Sequence, residues 1–118
     1  MSDEKGTSGD DSSKAMNRLS DKLTKEMLWI YILRLLQERP HYGYEIKKLV
    51  TERFDFSPAT VSGYAIIYRL MKDGLIEEQT KDDSTRKYYG ITDKGQTAMI
   101  EAKKFLSRTV NVVFDLTD

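Results

Sequence analysis

The chain contains no cysteine. Disulfides, iron–sulfur clusters and thiolate zinc sites are thereby excluded, and the absence suits a reducing cytoplasm. His41 is the sole histidine, so a histidine-rich metal site would need several chains. No metal and no cofactor is expected. No segment approaches the ~18 consecutive apolar residues of a membrane span. The opening MSDEKGTSGDDSSKA lacks the basic start and apolar run of a signal peptide. The expectation is a cytoplasmic protein without a membrane partner. Net charge of either sign is also missing, with 19 basic and 19 acidic residues. That argues against an indiscriminate nucleic-acid coat but leaves room for a binder that gathers its cations on one face. There is no glycine-rich phosphate loop, no metal-ligand set and no nucleophile with a partner base, so an enzyme is not expected. Asp82 and Asp83 read as solvated turn residues, and His41, beside Pro40 and Tyr42, as a turn or packing residue.

At 118 residues the chain fits one small domain with a tail. A core of this size is often only marginally stable, so oligomerisation is expected. Residues 1–20, rich in Ser, Gly, Asp and Lys, bury too little to offset ordering and are read as disordered. Residues 22–38 read as a helix stopped by Pro40. Leu28, Ile32, Leu35 and Leu36 form one face, while Met27, Ile30, Tyr31 and Leu33 carry apolar surface most of the way round. Such a helix is buried on more than one side, and a partner subunit is the expected second cover. A second helix, YEIKKLVTERF, follows. For the third, Ser57 is the expected N-cap and Pro58 the first helical residue. It runs to about Asp73, with Gly74 as the left-handed stop. Its core side holds Gly63, Ile66, Ile67 and Leu70. The opposite side holds Val61, Ala65, Tyr68, Arg69 and Lys72, with Thr60, Ser62 and Tyr64 at the edges. Gly63 weakens a helix interior by ~1 kcal/mol relative to alanine, which points to close packing there.

Residues 75–79 and 86–92 alternate as two strands around the polar tip TKDDS, a β-hairpin. Lys87, Tyr89 and Ile91 share one face of the second strand, and Arg86, Tyr88 and Gly90 the other. Ile91 points inward, so Tyr89 follows it and Tyr88 is freer to meet a partner. Thr92 caps a final helix carrying the row Ala98, Ala102, Phe105, Thr109, Val112 and Leu116, beside a second row of Met99, Leu106, Val110 and Val113. Two stripes suggest packing on its own subunit and on another, in coiled-coil fashion. A broad core face within one subunit is the alternative.

Three helices followed by a hairpin is the order of a winged helix-turn-helix. The fold expected is mostly α with a small β-hairpin: a disordered tail over 1–20, the winged domain over 21–92 and a dimerisation helix over 93–118. In that fold the third helix lies in the DNA major groove and the hairpin flanks it along the backbone. Thr60, Ser62, Tyr64, Tyr68, Arg69 and Lys72 are the candidate contacts of the helix to double-stranded DNA. Arg86, Lys87 and Tyr88 are those of the wing, where cations reach phosphates and phenols donate to their oxygens. Leu28, Tyr31 and Ile32, with the row from Ala98 to Leu116, are the candidate homodimer interface. An effector pocket for a small planar aromatic is drawn at Trp29 and Phe105, with Tyr31 and Thr109 nearby. A filled dimer core is its alternative.

HYGYEI (41–46), YRLMKDGLI (68–76) and RKYYGITDKG (86–95) together resemble the PadR family of transcriptional regulators. The last stretch is the most specific, with its basic pair, two tyrosines and threonine-to-glycine helix start. The resemblance covers about residues 24–113. It implies a homodimer that binds palindromic operators and usually represses transcription. It also implies a dimer interface built largely by the C-terminal helix against the first helix, as in the subgroup with a single terminal helix. The chain departs from the family at the third helix. Where members often carry a Gly-Thr-Leu-Tyr-Pro-like run, it has Val61, Ser62, Gly63, Tyr64 and Ala65, so the operator sequence is not carried over. Some short members bind planar aromatics between tryptophans of the terminal helices, whereas the only tryptophan here is Trp29. A winged-helix module that binds protein rather than an operator is the alternative, favoured by the neutral charge.

Overall fold

The structure is a computed structural model that describes residues 9–79 and 86–115; the side chains of residues 9–12 and 60–62 lie outside that description. Helix α1 spans Gly9–Leu23, a single 3₁₀ turn Lys25–Met27 follows, and α2 spans Leu28–Glu38. Strand β1 is His41–Tyr42, α3 is Gly43–Phe54 and α4 is Thr60–Lys72. Strands β2 (Ile76–Glu78) and β3 (Tyr88–Ile91) precede the long helix α5, Asp93–Phe114. The sheet order is β1-β3-β2, all antiparallel, with His41 opposite Tyr89 and Ile76 opposite Ile91. The fold is mostly helical with a small sheet, the winged-helix arrangement that the element order implied. No helix among the described residues is long and apolar enough to cross a membrane.

Two expectations fail at the N-terminus. Within the stretch 1–20 read as disordered, residues 1–8 lie outside the description and the described residues from Gly9 onward form a helix. Met16, Leu19 and Leu23 recur on it at helical spacing, a period that the polar composition hides. The continuous helix expected over 22–38 is interrupted. The Thr24 hydroxyl turns back to donate to the Ser20 carbonyl at 2.7 Å, and the Tyr31 hydroxyl donates to the Leu23 carbonyl. Those bonds end α1 and let a single 3₁₀ turn redirect the chain into α2.

Helix α2 is the centre of the core. Leu28, Ile32, Leu33, Leu35 and Leu36 are buried, and α3, α4, β3 and α5 all pack around them. Much of the greasy circumference of α2 is therefore covered by its own chain, with Met27, Ile30 and Tyr31 half-buried. Glu38 at its end takes Arg53 of α3 in two hydrogen bonds of 2.7 and 2.8 Å. The Arg53 guanidinium holds the Glu38 carboxyl below its ordinary range. Past Glu38 the residue before Pro40 is extended, as proline sterics demand, and β1 begins at once. This strand was read from sequence as a turn, because two residues show no periodicity.

Helix α3 starts with the Tyr42 amide donating to Glu45 Oε1 at 2.9 Å. Helix α4 starts at Thr60, with Ala59 in the cap position and no side-chain cap bond. Ser57 is thus not the cap expected; its hydroxyl instead lies 3.3 Å from that of Thr51, and Pro58 is buried before the helix begins. The other end behaves as read: Gly74 sits at φ 79° and donates to the Met71 carbonyl, while Leu75 donates to Leu70. This is the left-handed stop that satisfies the last carbonyls. Gly63, expected to mark close packing, does the reverse. A Cβ built there meets no heavy atom within 4 Å among the described residues.

Helix α5 is anchored by Thr92, whose hydroxyl accepts from the Gly95 amide at 3.1 Å and donates to the Gly74 carbonyl at 2.7 Å. Close approach requires glycine at position 95: a Cβ there would stand 2.3 Å from the Leu75 carbonyl oxygen and 2.6 Å from Ile91 Cγ1. Backbone cannot yield as a side-chain tip can. Gly95→Ala is therefore expected to destabilise the fold by about 1–3 kcal/mol despite alanine's better helix propensity, read as a lower Tm in circular dichroism. An unchanged Tm would refute this account of the α5 anchor.

Candidate nucleic-acid interface

Helix α4 is held by Ile67 and Leu70, both buried, which turns its far side to solvent. Tyr64, Tyr68, Arg69 and Lys72 are all exposed on that side. Arg69 and Lys72 fall in the last turn, where the helix dipole favours cations. The Thr60 and Ser62 side chains lie outside the described residues. So does the hairpin tip, residues 80–85.

At the root of the wing the two basic residues differ. Lys87 is exposed and lies 3.5 Å from Glu78 on the neighbouring strand, a surface pair of little energetic weight. Arg86 is built into an aromatic group. Its guanidinium stands 5.3 Å from the Tyr42 ring centroid and 5.7 Å from that of Tyr44, and its Nη1 donates to the Tyr44 hydroxyl at 3.0 Å. Tyr42 and Tyr44 are stacked, 5.7 Å apart and 4° from parallel. Tyr88 closes the group at 4.8 Å from Tyr42 and is half-buried, not the free outward side chain that alternation implied. Tyr89 faces inward as read, buried against the domain. Its phenol is pushed above its ordinary pKa by burial first and by Glu78 and Tyr64 second.

Tyr42 and Tyr44 escaped the sequence reading. The signal available was the pair of tyrosines flanking Gly43. Their partner Arg86 is remote in sequence and is joined to them only through the β1–β3 pairing. What this arrangement can do is present a charge at low entropic cost. The stacked rings and the hydroxyl fix the guanidinium before any partner arrives, and each cation–π contact at an exposed site contributes about 0.5–1 kcal/mol.

His41 lies directly behind this cluster and is buried. Among the described residues neither ring nitrogen has a partner at hydrogen-bond geometry; Glu45 Oε1 is 3.5 Å from Nδ1. Burial, and then Arg39, hold its pKa below the ordinary 6.5, against the weaker pull of Glu45 and the Leu35 carbonyl. A depressed histidine pKa means that the unfolded chain takes up a proton which the folded chain refuses. Stability is therefore expected to be flat above 6.5 and to fall as pH drops from 6.5 toward the folded value. His41→Phe should flatten the loss of Tm between about pH 7 and 5, a window above that in which Glu38 titrates. Parallel Tm–pH curves for the two proteins would refute this.

The apolar surface only partly coincides with the interface expected from the sequence. Of the expected dimer residues, Leu28 is 3% exposed and Ile32 0%, inside their own core, and Tyr31 packs on Phe54 and Phe56 with ring centroids 5.0 and 4.9 Å apart. Ala98 and Ala102 are half-buried, and Phe105, Thr109 and Val112 are exposed; Leu116 lies outside the described residues. Val113 is exposed beside that stripe, Ile100, Val110 and Phe114 are exposed elsewhere around α5, and Met16, Leu19 and Leu23 form a second stripe on α1. Within one chain Trp29 and Phe105 do not line a common pocket. Trp29 packs against the core, Phe105 is 68% exposed, and the groove between α2 and α5 is lined instead by Ile30, Met99, Ala102 and Leu106.

The PadR-like family of transcriptional regulators matches residues 32–101. An uncharacterised protein of Lysinibacillus sphaericus is 39% identical over 80 residues, 62% of this chain and 72% of the relative. A transcriptional regulator from Clostridium thermocellum superposes with a TM-score of 0.66 at 28% identity, over 76% of this chain and 92% of its own. Bacillus subtilis PadR in complex with operator DNA is similar over 64% of this chain and 45% of its own, with a TM-score of 0.57 and 25% identity. With the family match spanning more than half of its length, the chain belongs to the PadR-like family of transcriptional regulators.

Proposed function

We propose that this chain is a cytoplasmic homodimer that binds a palindromic operator in double-stranded DNA and represses transcription. The observation that carries this reading is the shared outward presentation of two basic elements. Tyr64, Tyr68, Arg69 and Lys72 line the open side of α4, and Arg86 is fixed by tyrosines at the wing root. The operator complex of Bacillus subtilis PadR supports it. Helix α4 would enter the major groove, and the wing cations would meet the phosphates beside it. The exposed stripes of α1 and α5 are the surfaces through which two copies would join. A two-fold dimer reads half-sites roughly 10 bp apart, centre to centre.

The test is recovery of bound genomic fragments followed by gel shift across a salt series. A shift at palindromic fragments that weakens steeply with salt is the expected result. Absence of any salt-sensitive shift would sink the operator reading and favour a module that uses the α4 face for protein.

A further inference from the structure

Helix α4 carries no Asn, Gln, Asp or Glu anywhere between Thr60 and Lys72. Each omission removes one way of reading a base edge in the major groove. Asn and Gln are the bidentate readers of adenine, and Asp and Glu accept from the cytosine amino group. Hydroxyls both donate and accept, so those of Thr60, Ser62 and the tyrosines choose no base. Arg69 has the chemistry for guanine, but it shares the last turn with Lys72. The N-terminal residues of a helix in the groove are the ones that reach base edges, so these two cations fall to the phosphates. What the exposed side offers before that turn is carbon, from Tyr64, Ala65 and Tyr68. The two rings are 53% and 64% exposed and stand four residues apart, on one face of the helix.

We propose that α4 selects thymine, through contact of the Tyr64 and Tyr68 rings with thymine C5-methyl groups. Of the four bases only thymine presents an apolar group in the major groove, so it alone gains from a face of rings and a methyl. Covering that methyl with a ring removes apolar surface of both from water. Any other base there would set the ring against polar edge atoms whose hydrogen bonds to water it displaces without replacing. Four residues of helix rise about 6 Å, close to two base steps of roughly 3.4 Å. The half-site is therefore expected to hold thymines about two base steps apart, on either strand. The inference rests on the operator reading and names the bases that the reading leaves open.

Deoxyuridine in place of thymidine removes the methyl and keeps every hydrogen-bonding group of the base. With one half-site of the recovered operator so substituted, fluorescence anisotropy at fixed salt should show affinity for the full chain lower by roughly fourfold for each methyl no longer covered. The same substitution confined to the spacer between half-sites should change nothing. Tyr68→Ala, at a position 64% exposed, should keep the fold and shrink the preference for thymine by about fourfold. Tyr68→Phe, which retains the ring, should preserve it. Equal affinity for the thymine and uracil half-sites overturns the thymine reading and leaves the operator reading standing. An undiminished preference in Tyr68→Ala also overturns it, since the methyl would then act through the shape of the duplex. Protein that binds neither duplex overturns the operator reading, and this inference with it.

Discussion

Replacing Arg86 and Lys87 together by alanine is expected to weaken operator binding and to lower the slope of log K against log salt by about 1.8, at ~0.9 for each phosphate no longer neutralised. The two residues should not contribute equally. Arg86 is stacked on Tyr42 and hydrogen-bonded to Tyr44, so little rotamer entropy remains to be lost when a phosphate arrives. Lys87 must leave a weak surface pair with Glu78 and order a flexible stem. Arg86→Ala alone should therefore cost more affinity than Lys87→Ala alone, although both lower the slope by similar amounts. Tyr44→Phe keeps the ring and removes the accepting oxygen, so its effect should be smaller than that of Arg86→Ala and should leave the slope unchanged. Fluorescence anisotropy at several salt concentrations separates these outcomes. An unaltered slope in the double variant would remove the wing from the interface.

How much of this was legible in the sequence follows from how local each feature is. Thr92 as the α5 cap, Gly74 as the α4 stop and the inward turn of Tyr89 each depend on a few neighbouring residues, and each stands where it was read. Ser57 failed as a cap because Pro58 is held in the core and delays the start of the helix to Thr60. Strand β1 exists only because β3 pairs with it, and so the tyrosine–arginine group that depends on that pairing could not be seen in HYGYEI alone. The apolar circumference of α2 was legible, and elements of its own chain supply much of the cover for which a partner subunit was considered. Apolar period reports that a face is hidden and says nothing about which element hides it. The same limit applies to Gly63, where a glycine kept for close approach and a glycine kept for open space look alike until the neighbours are in place.

In the proposed homodimer the apolar stripe on α5 would form the seam. Phe105 and Val112 are 68% and 67% exposed there, so neither supports its own chain's core. A glutamate at each should leave the monomer fold intact, with an unchanged helical circular dichroism signal, because nothing in the chain is deprived of a packing partner. In a dimer the same charges would be buried in an apolar seam without counter-ions, a cost that association cannot bear. Phe105→Glu with Val112→Glu is thus expected to convert the dimer to a monomer in sedimentation analysis. The effect on the operator should be large. One half-site no longer raises the effective concentration of the second copy at the other, and apparent affinity should fall by about 10²- to 10⁴-fold. Half-site affinity, measured on DNA carrying a single copy of the recognition sequence, should not change, since α4 and the wing are untouched. A variant that remains dimeric would move the interface off α5, leaving the stripe of Met16, Leu19 and Leu23 on α1 as the surface to charge next.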